Sequence, residues 1–197
     1  SRFCKVFWEG DMAIESVLVE CRDRMSKSLD ALKRELTVIR TGRANPALIE
    51  SINVNYYDVD TPLNQLATIT VPEARVLQIQ VWDPSVLKDV SKAIMTSDLG
   101  LTPSNDGELI RIILPALSQE RRLELVKTVG KKTEEGHIAI RNIRRTAVEA
   151  LKQLVTDGET GKDDSFRAQN DIQTITDEYI AKMNESKASK ESEVLEV

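Results

Sequence analysis

Disulfide scaffolds, metal clusters and aromatic recognition surfaces all lack material in this chain. Two cysteines, Cys4 and Cys21, are too few for a disulfide framework, and neither has a second Cys or a His at metal-ligand spacing. Cys21 falls on an apolar stripe and reads as a small core residue. Aromatic residues make up 4 % of the sequence, which argues against sandwiches and ligand-binding barrels. The one histidine, His137, has no Ser or Cys partner on its own helix, so nothing assembles a nucleophilic site around it. No run approaches the roughly 18 apolar residues of a membrane span, and the N-terminus has no signal-peptide core. These absences lead us to expect a cytoplasmic protein that needs no metal or cofactor and does not engage a membrane.

What the chain has is charge and helical periodicity. Of 197 residues, 41 % are hydrophobic, enough for a real core, and 30 % are charged. The net charge of −5 is unevenly spread. Residues 12–43 carry seven basic against five acidic side chains, and 119–156 carry nine against five. Residues 44–118 carry four against nine, and 157–197 five against eleven. Two segments are therefore basic within an acidic protein, and sign has to be read segment by segment.

From Ile14 to Ile39 apolar positions recur every three or four residues, through Leu18, Cys21, Met25, Leu29, Leu32 and Leu36. That spacing predicts one long amphipathic helix, stopped by Gly42 and kept from resuming by Pro46. Residues 1–11 show no such period and are expected to lie outside the fold. The period then changes. Residues 52–56 and 76–81 alternate apolar with polar as half-buried strands do, and 67–71 and 109–114 read as strands too. Between them Asp83 and Pro84 open a short helix with Leu87, Val90 and Ile94 facing inward, which Gly100 should close.

After Pro115, Ser118 is placed to cap a helix over 119–155 with Val126, Val129, Thr133, Gly136, Ile140, Ile143, Ala147, Leu151 and Leu154 on one stripe. A polar turn over 156–163 leads to a third helix showing Phe166, Ile172, Ile175, Tyr179 and Met183. Three stripes of this length satisfy one another in a three-helix bundle. The class is α+β: a long three-helix bundle (residues 12–42 and 117–197) with a β/α/β domain (43–116) inserted between helices 1 and 2. Both connections leave one end of the bundle, so Gly42, Arg43, Pro115 and Ala116 are candidate hinge residues.

Enzymatic readings find little support. Gly161-Lys162 resembles the end of a phosphate loop, but Thr156 stands where its first glycine belongs and no strand precedes it. Binding remains. Arg141, Arg144 and Arg145 share one side of the second helix about one residue's rotation from its apolar stripe, while Arg22, Arg40 and Arg43 lie on or just after the first. The guanidinium fork suits phosphate, and the helices offer few rings for bases, with Phe166 and Tyr179 expected to be buried. A rod touching phosphates of folded RNA fits better than a reader of single strands. A bundle that docks on protein helices, and a nucleotide hydrolase, are the rival readings.

Four segments resemble, in order, signature segments of the ribosome recycling factor family: Arg40-Thr41-Gly42-Arg43-Ala44-Asn45-Pro46, Thr61-Pro62-Leu63-Asn64-Gln65-Leu66-Ala67, Ser97-Asp98-Leu99-Gly100-Leu101 and Ile140-Arg141-Asn142-Ile143-Arg144-Arg145. The likeness runs from about Met12 to Val197. It implies a hinged, L-shaped protein of tRNA-like outline that is not an enzyme and acts as a monomer. It would bind the post-termination ribosome and, with elongation factor G and GTP, separate the subunits and release mRNA. By the same resemblance Arg141, Arg144 and Arg145 grip large-subunit ribosomal RNA, and Arg40 and Arg43 face RNA near the hinge.

Overall fold

The computed structural model describes residues 2–196, with side chains described over 10–196. Four α-helices and six strands follow in the order α1 (Arg2–Val38), β1 (Asn53–Tyr56), β2 (Val59–Pro62), β3 (Ala67–Glu73), β4 (Val76–Val81), α2 (Leu87–Thr96), β5 (Pro103–Asn105), β6 (Leu109–Ile113), α3 (Gln119–Thr156) and α4 (Lys162–Leu195). The chain divides into two compact units. One holds the chain up to Ile39 with Glu124–Ser192; the other holds Arg40–Leu123 with the chain from Glu193 onward.

The helical unit is built on the three stripes. Met25, Leu29, Leu32 and Leu36 of α1 meet Val129, Ile140, Ile143, Ala147 and Leu151 of α3 and Ile172, Ile175, Tyr179 and Met183 of α4 in one buried cluster. Small residues set how closely the helices approach: a Cβ on Gly136 would stand 3.0 Å from Met183 Sδ and 3.6 Å from a Leu32 methyl. Two threonines are buried in this core, and each satisfies its hydroxyl on the turn before it. Thr133 Oγ1 donates to the Val129 carbonyl at 2.8 Å and Thr176 Oγ1 to the Ile172 carbonyl at 2.7 Å.

Three expectations need correction here. Helix α1 runs back through residues 2–11 rather than starting at Met12. Nothing in Arg2–Asp11 breaks a helix except Gly10, which is buried where a Cβ would meet the Glu159 carbonyl oxygen. Cys4 lies outside the residues whose side chains are described. At the start of α3 the stripe passes through Leu125, which is buried, and Val126 is left half-buried. Phe166 is 66 % exposed. The spacing of α4 runs through Ser165 and Ala168 instead, seven and four residues before Ile172, so Phe166 stands one residue's rotation off the core.

In the second unit β3, β4, β6 and β5 form an antiparallel sheet in that order, and β1 and β2 pair as a separate hairpin. Alternation puts Leu77, Ile79 and Val81 of β4 and Ile110 and Ile112 of β6 on the inner face, in register as Leu77 opposite Ile112 and Ile79 opposite Ile110. Leu87, Val90 and Ile94 of α2 complete this core. Strands β2 and β5 escaped the sequence reading because Val59-Asp60-Thr61-Pro62 and Pro103-Ser104-Asn105 hold too little apolar residue to alternate. Asp83 caps a single 3-10 turn, Pro84–Val86, that leads into α2, through Oδ1 accepting from the Ser85 N–H at 3.0 Å. The helix ends at Thr96, before Gly100.

Residues 40–45 and 114–118 form no regular element. Ala44 N–H donates to the Ala74 carbonyl at 2.7 Å and Leu114 N–H to the Arg75 carbonyl at 2.8 Å, so both connecting chains are pinned to the β3–β4 turn. Gly42 has φ +76°, and a Cβ there would stand 3.0 Å from Leu117 Cγ. The C-terminal end also belongs to this unit: Val194 is buried, Arg122 Nη1 donates to the Leu195 carbonyl at 3.3 Å, and Glu196 lies 3.6 Å from Arg43 Nη2.

Two stability outcomes follow from these placements. Ile143→Ala should cost about 2–5 kcal/mol in urea unfolding, whereas the exposed Arg145→Ala should stay within about 0.5 kcal/mol. The reverse ranking would mean that the faces of α3 are misassigned. Gly42→Ala should cost about 1–2 kcal/mol through its left-handed backbone alone, and an unchanged melt would show that this turn relaxes freely.

Candidate nucleic-acid interface

Burial of Ile140, Ile143, Ala147 and Leu151 turns the residues beside them away from the core. Arg141, Arg145 and Lys152 emerge exposed and Arg144 half-buried. They form one wall of a cleft of about 470 Å³ between α3 and α4. The facing wall comes from α4, where Phe166, Gln169, Asn170 and Gln173 follow one another at helical spacing. Glu149 is the one acidic side chain in the lining.

Each arginine is held differently. Arg144 Nη1 crosses the cleft to donate to Gln173 Oε1 at 2.8 Å, and Gln173 Nε2 in turn donates to Asp177 Oδ1 at 2.8 Å. The guanidinium is thus oriented by a neutral amide and keeps its charge uncompensated. Arg141 Nη2 donates to Glu134 Oε1 at 2.6 Å, and His137 Nδ1 lies 3.4 Å from the other carboxylate oxygen. The hydrogen bond from Arg141, with His137 adding to it, holds the Glu134 carboxyl below its usual range. Arg145 and Lys152 have no protein partner among the described residues. The three arginines of the sequence reading do meet in one site. Lys152 joins them eleven residues after Arg141, on the same face; that spacing was the available signal. The α4 wall carried no comparable signal, because its polar residues resemble any solvated helix face.

The remaining basic candidates are placed elsewhere. Arg22 is committed to structure: Nη1 donates to Glu178 Oε2 at 3.2 Å, tying α1 to α4, and Lys182 Nζ shares that carboxylate at 2.8 Å. The Glu178 carboxyl is lowered by Lys182 first and Arg22 second. Arg40 and Arg43 belong to the other unit, Arg40 exposed and Arg43 beside Glu196. A second cleft of about 810 Å³ lies in that unit, lined by Asp58, Asp60, Asp89 and Asp98 with Lys92 as its cation. Its charge repels phosphate, so of the two clefts the arginine one suits a polyanion. Among the described residues no group of three or more His, Cys, Asp and Glu could hold a metal ion, and no helix is long and apolar enough to cross a membrane.

The Glu134–Arg141 pair can be checked directly. The Glu134 carboxyl should titrate below the ordinary glutamate range by carbon NMR, and in Arg141→Ala its midpoint should rise toward that range. Equal midpoints would mean that the pair does not persist in solution.

A family model described as ribosome recycling factor matches residues 32–195. The ribosome-recycling factor of Shouchella clausii is 50 % identical over 93 % of this chain and 99 % of its own, and that of Halalkalibacterium halodurans is 51 % identical with the same coverage. Among solved structures, a solution structure of the ribosome recycling factor superposes with a TM-score of 0.70 at 39 % identity, covering 93 % of this chain and 98 % of the other. A second is the Thermus thermophilus factor in models of it and Escherichia coli elongation factor G bound to the Escherichia coli post-termination complex. It gives a TM-score of 0.60 at 47 % identity over 92 % of this chain and 98 % of that one. With a family model spanning most of the sequence and relatives half identical along nearly their whole length, the chain belongs to the ribosome recycling factor family.

Proposed function

We propose that this protein binds the post-termination ribosome through large-subunit ribosomal RNA and, with elongation factor G and GTP, separates the subunits and releases mRNA. The observation that carries the reading is the α3–α4 cleft, where four cations face one acidic residue and Arg144 is oriented by an amide that leaves its charge intact. Oriented guanidinium groups give phosphate two charge-assisted hydrogen bonds at low entropic cost. Membership of the family and the relative placed on a post-termination complex with elongation factor G supply the partners.

In this reading the protein acts in the cytoplasm as a monomeric binding factor and mechanical wedge, and carries out no chemistry. Arg40 and Arg43 add RNA contacts beside the connecting chains. Gly42, Arg43, Pro115 and Ala116 act as the hinge: pinning at Ala44 and Leu114 confines bending to the irregular residues outside those points.

Charge reversal tests the interface. Arg144→Glu should abolish co-sedimentation with large ribosomal subunits while leaving helical content unchanged. Lys187→Glu removes only a surface pair with Glu191 at 3.8 Å and should change affinity little. Replacing Arg141, Arg144 and Arg145 together should reduce the salt slope of log K by roughly two to three, if duplex behaviour carries over. Equal binding by the two single variants, or an unchanged slope, would move the RNA contact elsewhere. Light scattering with elongation factor G and GTP then tests subunit separation itself.

A further inference from the structure

The cleft holds an aromatic residue that phosphate binding does not use. Phe166 is 66 % exposed on its α4 wall, opposite the arginines. Exposure alone means little, because single apolar residues are common on surfaces. Its surroundings are what distinguish it. Ser165 and Ala168 carry the packing of α4 at this level, so the ring is not needed by the core. Among the described residues no guanidinium stacks on its ring; the described cation–ring contact is Lys182 over Tyr179.

Beside it, the Asn170 carboxamide has no partner among the described residues, and Gln169 Nε2 makes only a long bond to Ser165 Oγ at 3.4 Å. An aromatic face, a side-chain amide without a described partner and guanidinium groups lining one cleft are the three kinds of group that hold a single nucleotide. The ring stacks on the base, the amide meets its edge and the arginines take its phosphate. The volume of about 470 Å³ falls within the roughly 300–1,000 Å³ typical of pockets for small groups.

We infer that Phe166 is a base-stacking residue, and that the α3–α4 cleft receives an unpaired nucleotide of structured RNA, its phosphate on Arg144 and Arg145, its base stacked on Phe166 and the base edge toward the Asn170 amide. This rests on the RNA-binding reading above and adds to it a base contact where that reading has phosphates alone. Stacking tolerates any base, so the site selects an unstacked nucleotide in a loop, bulge or end rather than a sequence. A continuous duplex cannot fill it.

The test uses the full chain and isolated large ribosomal subunits. Phe166→Leu keeps an apolar side chain but removes the π face, and Phe166→Trp enlarges that face. Position 166 is exposed, so both variants should melt like the parent. Phe166→Leu should lower affinity about tenfold with an unchanged salt slope, and Phe166→Trp should restore it. Base-edge chemical probing should show an unpaired base protected by the parent and by Phe166→Trp but reactive with Phe166→Leu, while hydroxyl-radical protection of the backbone persists in all three. Parent-like affinity and base protection in Phe166→Leu, equal loss in Phe166→Trp, or no protected unpaired base with the parent would each overturn the inference. Arg144→Glu separates the two claims: if it binds as the parent does, the RNA-binding reading fails first.

Discussion

The position of the buried stripe on α3 decides where every cation of the site can go. Ile140, Ile143, Ala147 and Leu151 are almost entirely removed from water, and a helix fixed through these four has no rotational freedom left. Arg141, Arg144 and Arg145 then project to one side as a geometric necessity. Their long side chains would otherwise lose most of the benefit of charge through rotamer entropy, which is why the holding partners matter. Gln173 and Glu134 restrict two of the three before any ligand arrives.

The two partners differ in kind, and that difference assigns roles. Glu134 neutralises Arg141, so an incoming phosphate has to displace a carboxylate held in its charged form across the neutral range. Gln173 only aims Arg144. A phosphate entering the cleft would therefore meet Arg144 at full charge and Arg141 in competition, even though both stand on one helix face a turn apart. In the proposed function Arg144 is thus the stronger of the two anchors and the better choice for charge reversal.

Much of this was legible in the residues. The three long helices, the inserted mixed unit and the arginine face all follow from apolar spacing, since stripes at three and four are over-determined along helices of this length. What escaped was decided by small residues and by contacts distant in sequence. Ser165 and Ala168 carry no strong apolar signal, so the larger Phe166 looked like the core position it is not. Strands β2 and β5 have too few apolar residues to show a period and exist through pairing with β1 and β6. Residues 1–11 show no apolar period, yet Gly10 is the point at which α1 passes against the Glu159 backbone. The acidic tail gave no hint that Val194 would be buried.

The hydrogen bonds from Ala44 and Leu114 to adjacent carbonyls of the β3–β4 turn bear on how such an insertion is tolerated at all. A long segment placed between two helices would ordinarily separate them by a floppy excursion, and closing that excursion has an entropic cost. Here the inserted sheet fastens its own two ends to neighbouring residues of a single hairpin. The closure is completed by the insert's folding and does not have to be supplied by the helices. Because that cost grows only slowly with length, by about 0.6 kcal/mol for each doubling, the insert could lengthen or shorten in its distal loops with little effect on the bundle. The turn at Ala74 and Arg75, which carries no candidate ribosome contact, is thus a place where evolutionary change should be constrained by topology alone.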